Sequence, residues 1–512
     1  MNNTFSDLLS SFVHQKDIDV YPMTLYCGID RSLMYKYLNG KDYPKDQSVI
    51  ERMADFMRLS PPEHDDLITA WQIQKTGWKE WNSRQNVEKF LLSFPDISSL
   101  PQCSAAVSFP AQASIGNPQS QNALDTPQTH NNPGTPQPPD NASDQPCSSY
   151  PACRALPTQT ALNNAVSQMI LEETQKENGC LYLILQPDYS YLFHLLAGLG
   201  EYEHQISIRH ILCLENSSRT ERNLADHNLL CLQKLLPLYL RALDYNIYYY
   251  YDSVESHFSN LNGLSCLIMT SSCAITCTSD FQSGIFYGNP QIVQMLQNHF
   301  DSCQKKCSPL FTSISAVTEI CKMILKFFSE SKEYYSLQPE PCTIPFLSED
   351  ILERLLLPEL PNREELFPFL SDFLKQRQNT IFDENYHIFH TLRGLGRFME
   401  TGKIYEIPED LYQPLSQEDR KLLLYRLGQF AGERYHFLRG PLENLPQNFH
   451  LWVSAANGYL MFTNRKNEMT FLLFTESSLL TAFWDYLQHM DETYLCSTKE
   501  SQKYIEELLE TE

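Results

Sequence analysis

Arg31, Ser32, Tyr35 and Lys36 have types and spacing that could do chemistry together in this 512-residue chain. They recur on one side of a helical repeat and offer a bidentate donor, two hydroxyls and a cation. Near a helix N-terminus such a set suits base edges and phosphates in the major groove of duplex DNA. Asn39, Lys41, Tyr43 and Lys45 follow at once, and the two lysines and the tyrosine would hold phosphates. The same segment supplies its own positioning. Asp30 precedes the repeat as an N-cap, because its carboxylate can accept an orphan backbone N–H. Ile29, Leu33, Met34 and Leu38 lie on the opposite side and predict an inward face. Gly28 sits where a turn must open, and Gly40 closes the helix.

The flanks predict further helices. Phe5, Leu8, Leu9, Phe12 and Val13 stripe Thr4 to Gln15, and Pro22 opens a helix running to Cys27. Asp46 to Leu59 carries Val49, Ile50, Met53, Phe56 and Met57 on one face. Ser60-Pro-Pro-Glu63 starts a last helix that Gly77 ends, and an amphipathic segment runs from Trp78 to Phe94. Met23 to Gly40 resembles the helix-turn-helix of the lambda-repressor-like (XRE-type) family. Met23 and Thr24 stand at its Leu-Ala positions. Gly28, Ile29, Asp30, Arg31, Ser32, Leu38, Asn39 and Gly40 follow its pattern. The resemblance covers residues 4–75 and implies a sequence-specific transcriptional regulator that binds double-stranded DNA. The alternative from another class is a sensor or effector whose helical head binds a protein partner.

Charge sharpens that choice. The chain carries −23 in all, and its first 100 residues have 11 Lys and Arg against 14 Asp and Glu. DNA affinity draws on phosphate neutralisation. Only Arg31 to Lys45 is locally basic, with four cations against Asp42 alone. A ridge of that size predicts modest affinity per head and hence a homodimer.

Pro101 to Pro157 holds 11 of the 30 prolines and four charged residues, which predicts a disordered linker. The expected division is a helix-turn-helix domain at 1–95, a linker at 101–157 and a body at 158–512. No apolar run approaches the ~20 residues of a membrane helix, and Met-Asn-Asn-Thr lacks the features of a signal peptide. The cytoplasm is the expected location, with no membrane partner. Fifteen scattered cysteines predict reduced, packed thiols. Cys273 and Cys277 would share a face if their segment is a strand. His299, Cys303 and Cys307 would stripe one helical face, which reads as a helix side with incidental thiols rather than a metal site. No cofactor is expected.

In the body, strands at Leu181–Leu185, Ile206–Leu214 and Asn246–Tyr251 alternate with helices, which predicts an α/β or α+β layered domain. Strand, hairpin, strand and helix then occur twice. The first copy is Leu267 to Cys303. The second is Tyr435 to Met490, whose hairpin turns at Asn457-Gly458. Candidate halves are 158–330 and 345–512, with Ser348 to Gly432 mostly helical. Arg393-Gly-Leu-Gly-Arg397 could face an anion, although a helix connection is the better reading. The duplication resembles the phospholipase-D-like fold, whose enzymes require His-x-Lys in each half. The only His-x-Lys here is His14-Gln-Lys16, in the head, while the hairpins read Leu267-Ile-Met269 and His450-Leu-Trp452. The resemblance therefore implies a non-catalytic relative. No catalytic residue is expected, and the body would dimerise or read an unknown small-molecule or protein signal.

Overall fold

The computed structural model describes residues 4–94, 152–199, 206–215, 224–241, 243–253, 263–314, 316–380, 385–447, 449–466 and 468–510. The linker expected over 101–157 lies outside them as far as residue 151. Its last residues do not continue as linker, because Cys153–Leu156 form a strand.

Five helices make the head: α1 (Phe5–Gln15), α2 (Val20–Cys27), α3 (Arg31–Leu38), α4 (Gln47–Met57) and α5 (Pro61–Thr76). Each starts behind an acidic or hydroxyl N-cap. Thr4 and Ser60 form capping boxes with Asp7 and Glu63, and Asp19, Asp30 and Asp46 accept single backbone bonds. Caps of this kind contribute ~1 kcal/mol each. Phe5, Leu9, Met23, Met34, Ile50, Met53, Leu67 and Trp71 are buried in one core.

Helix α6 (Trp78–Leu92) follows Gly77, whose φ of 96° lies in a region that a side chain rarely adopts. The division at residue 95 assigned this helix to the head, but its apolar face goes elsewhere. Val87, Phe90, Leu91 and Phe94 belong to the core of the body, not to the head core. Phe90 packs on Phe483, with ring centroids 5.5 Å apart, and Phe94 on Phe449 at 4.7 Å. Arg84 forms a bidentate pair with Asp485 at 2.8 and 3.1 Å, and Tyr494 donates to Glu88 at 2.8 Å.

The body is built on two mixed sheets. The first half runs β1 (Cys153–Leu156), α7 (Gln159–Glu173), β2 (Cys180–Ile184), α8 (Ser190–Gly198), β3 (Ser207–Leu214), α9 (Leu224–Leu240), β4 (Asp244–Tyr251), β5 (Cys266–Thr270), β6 (Ala274–Cys277), β7 (Gly284–Tyr287), α10 (Pro290–Gln304) and β8 (Ser308–Pro309). The second runs β9 (Thr312–Ile314), α11 (Val317–Glu330), β10 (Glu333–Leu337), α12 (Glu349–Leu355), α13 (Arg363–Thr380), β11 (Asn385–Thr391), α14 (Leu392–Thr401), α15 (Gln417–Gly428), β12 (Tyr435–Leu438), β13 (His450–Ser454), β14 (Gly458–Thr463), β15 (Met469–Phe474) and α16 (Ser477–Gln488). A last helix, α17 (Thr498–Glu510), packs on α15.

The sheet orders are β1-β7-β6-β5-β2-β3-β4-β8 and β12-β11-β10-β13-β14-β15-β9. Read in register, they are one topology used twice. Three parallel strands (β2, β3, β4 and β10, β11, β12) join an antiparallel meander (β5, β6, β7 and β13, β14, β15). An edge strand added at the meander precedes each unit. The boundary between halves therefore falls between β8 and β9, earlier than the 330–345 interval read from the sequence. The segment from Ser348 to Gly432 also contains β11, whose last four residues are all buried. A strand covered on both faces has no alternation to reveal it.

Helices α6, α9 and α16 pack on one another, and their core includes residues of both sheets, among them Leu183, Ile268, Leu337 and Leu451. Phe90 is 1 % exposed there. Phe90→Ala should cost about 3–5 kcal/mol, read as a lowered urea midpoint of the body transition in the full chain.

Candidate functional site

Helix α3 holds the sequence-predicted set as the capping chemistry requires. Ser32 N–H donates to the Asp30 carboxylate at 2.7 Å, and Gly28 takes a left-handed φ of 68° between α2 and α3. Arg52 of α4 donates to the Cys27 carbonyl at 3.1 Å and satisfies an orphan acceptor at the end of α2. Met34 and Tyr37 face the core, whereas Ile29, Leu33 and Leu38 are only partly covered. Tyr37, not assigned inward from the sequence, is 5 % exposed.

Arg31, Ser32, Tyr35, Lys36, Asn39, Lys41 and Lys45 are all exposed. Tyr43 is half-buried against the head core instead of standing free beside the lysines. The loop behind α3 is fixed by Trp71, whose indole N–H donates to the Pro44 carbonyl at 2.6 Å. Arg31 lies over the Tyr35 ring, 5.6 Å from its centroid. Among the described residues, Lys16 pairs with Glu63, but Arg31, Lys36, Lys41 and Lys45 have no carboxylate at ion-pair distance. The helix before them exposes Tyr21, Leu25 and Tyr26 at 54, 66 and 53 %.

The body holds two polar sites at matched places. Thr270 and Ser454 each donate their N–H across a two-residue turn, to the Cys273 and Asn457 carbonyls. Counting back from those turns makes Cys266 and His450 equivalent, each the first residue of its strand. Two residues on stand Ile268 and Trp452, so neither hairpin carries a lysine there. Trp452 instead stacks between Phe327 and Tyr459, each 5.6 Å away.

Beside Cys266 is a cavity of about 240 Å³, lined by Gln186, Cys213, Tyr250, Ser265 and Phe281 among others. Beside His450 is one of about 60 Å³, with Ser336, Arg377, Glu406 and Trp452 in its wall. Ser336 and His450 Nε2 are 2.8 Å apart. Burial pushes His450 down to about 3, so the ring is neutral. Its Nδ1 has no partner among the described residues. Glu406 is part of that wall, and Glu340 lines a smaller adjoining pocket that also touches Glu406 and His450. Gln338 donates to Glu406 at 3.2 Å, and Arg397 pairs with Glu340 at 2.5 Å. Desolvation raises both carboxyls to about 7 despite these partners. Sequence reasoning saw His450 at a strand start but missed the two acids, which meet it only through the strand register.

No family model and no curated protein matches the chain. Several solved structures show similarity, among them a synthase and a kinase. Phosphatidylserine synthase of Haemophilus influenzae Rd KW20 aligns at 12 % identity with a TM-score of 0.24, over 70 % of this chain and 91 % of that one. Polyphosphate kinase of Porphyromonas gingivalis aligns at 11 % identity with a TM-score of 0.19, over 70 % of this chain and 55 % of that one. At those scores neither similarity carries an argument about activity.

Other sequence candidates resolve plainly. The anion facing the Arg393 segment is the chain's own Glu443, which accepts from the N–H groups of Leu392 and Arg393 at 2.7 and 3.3 Å. Gly394 is needed there because a Cβ would lie 1.9 Å from the Pro339 carbonyl oxygen. Cys303 sits 3.6 Å from His299, but Cys307 turns to the Cys303 carbonyl. Among the described residues no three such side chains could hold a metal ion. Cys277 lies opposite Cys266 across the β5–β6 ladder, and Cys273, just before β6, is buried in the same core as Cys277. No described helix is long and apolar enough to cross a membrane.

The acids and the histidine oppose each other in pH. Glu406 stays protonated in the fold to about 7 but ionises near 4.5 when unfolded, so its contribution fades as pH rises across that window. His450 works in reverse, losing stability as pH falls from 6.5 towards about 3. Glu406→Gln should therefore remove one falling component, so that the variant's urea midpoint gains on that of the parent chain as pH rises from 4.5 to 7, while the histidine loss at lower pH persists.

Proposed function

We propose that this chain is a sequence-specific DNA-binding transcriptional regulator, with α1–α5 as the reading head and the body as a non-catalytic sensing and oligomerisation module. The observation that carries the reading is the exposed α3 surface. It combines Arg31, Ser32, Tyr35 and Lys36 on a rigidly capped helix, with no carboxylate drawing off the cations. Arg31 and Ser32 occupy the first turn, where base-edge contacts of a recognition helix concentrate. Lys41 and Lys45 flank it for phosphates, with Asn39 between, and Tyr43 acts from its half-buried place as a hydroxyl donor. An acidic body would keep the rest of the molecule off the duplex, so binding rests on this ridge and on pairing of two heads in a homodimer. The duplicated topology supports a relative of the phospholipase-D-like fold. Trp452 and Ile268, where such enzymes need lysine, favour a body without that chemistry.

A second reading is favoured by one observation: Tyr21, Leu25 and Tyr26 of α2 are more than half exposed. A protein partner could cover them, making the head an interaction module. Salt separates the two, since counterion release makes duplex affinity fall steeply with ionic strength. Arg31→Ala with Lys36→Ala should weaken binding to a selected duplex by roughly 100-fold, at about 1–3 kcal/mol for each lost base contact, with unchanged circular dichroism. Equal binding by the double variant would reject the DNA reading.

A further inference from the structure

The first half's cavity has a cysteine where the second half has His450, and that cysteine has a partner. Cys266 and Cys277 are directly opposite on the β5–β6 ladder. Opposed residues of an antiparallel pair have Cα atoms about 4.5–5.5 Å apart, within the roughly 4.4–6.8 Å that a disulfide spans. On its other flank Cys277 faces Gly284, where even a Cβ would come within 3.0 Å of it. Of the two residues directly opposite it on the neighbouring strands, Cys266 is therefore the one with a side chain. Cys266 lines the cavity of about 240 Å³, while Cys277 lies behind it at 0 % exposure.

We propose that Cys266 and Cys277 form an oxidant-sensitive site, in which a hydroperoxide entering the cavity converts the two thiols to a cross-strand disulfide. Cys266 attacks first. Its sulfur bonds the terminal peroxide oxygen, the O–O bond breaks, and the leaving alkoxide takes a proton to become an alcohol, or water from hydrogen peroxide. Cys266 is then a sulfenic acid. Cys277 attacks that sulfur, the S–S bond forms, the S–O bond breaks, and the departing hydroxide leaves as water with the Cys277 proton. The two thiols lose two electrons and two protons, and one hydroperoxide is reduced.

The order of attack has a physical basis. Cys266 lines the cavity while Cys277 lies behind it, and the contact between the two thiols lowers Cys266 and, with burial, raises Cys277. Cys213 also lines the cavity, but burial raises it to about 12, which leaves it a poor nucleophile. The site does not depend on whether the head reads DNA.

Peptide mapping of the reduced full chain after hydrogen peroxide treatment tests it. The expected result is one dominant disulfide joining Cys266 and Cys277, with the loss of two hydrogens and recovery in dithiothreitol. Cys277→Ser should instead accumulate a dimedone-reactive sulfenic acid on Cys266. If other cysteines oxidise first while Cys266 and Cys277 stay unlinked, or if dimedone fails to label Cys266 in the Cys277→Ser chain, the proposal is wrong.

Discussion

The burial of α6 against the body is the interaction on which the rest depends. Its apolar face has no place in the head, whose core closes with α5. Phe90 and Phe94 enter a core that both sheets share, and Arg84 and Glu88 fix the helix along its length. Two consequences follow from elementary packing. Removing the helix would expose several large side chains at once. The segment after Phe94 also starts on the body and returns to it, because the Ala152 carbonyl accepts from Gly288 N–H at 3.2 Å. Phe94 and Ala152, the described residues on either side of it, both lie on the body. The head is attached through Gly77 and a docked helix.

The body divides its chemistry unequally between two copies of one topology. Matched strand starts carry His450 in one and Cys266 in the other. Around His450 the cavity is small and walled by stacked aromatics, and burial raises the nearby carboxyls to about 7. Around Cys266 the cavity is larger and lined by thiols and hydroxyls. Duplication relaxes the demand on each copy, since the shared core between the sheets is filled from both. A polar group at one strand start can change without unseating the other.

What the sequence made legible was local chemistry. Thr4, Asp30, Asp46 and Ser60 announce helices because a cap is a contact between neighbours along the chain. Both hairpins were legible for the same reason, but the turn of the second falls at Ala455-Ala456 rather than at the expected Asn457-Gly458, because Gly458 already pairs with Val453 in β14. What escaped depends on distant partners. β10 and β11 are central strands rich in Tyr, Ser and His, and their covered faces erase the period-two signal. β1 is an edge strand with three exposed side chains, held by its backbone, so its composition matches the linker before it. The face of α6 was visible, but nothing local says which surface it meets. Glu340, Glu406 and His450 converge only through register and return loops.

Gly77 gives the arrangement a geometric meaning. A head on a long random coil would sample many separations and orientations, and a paired molecule would accept half-sites at almost any distance. A head joined by one glycine to a helix that the body grips is anchored at a fixed point of the body, and Trp81 of that helix donates back to Gln72 of the head at 3.2 Å. In a two-headed regulator of this build, the body would act as a ruler. Inserting half a helical turn between the half-sites would put the second on the wrong side of the double helix, where that head could not follow.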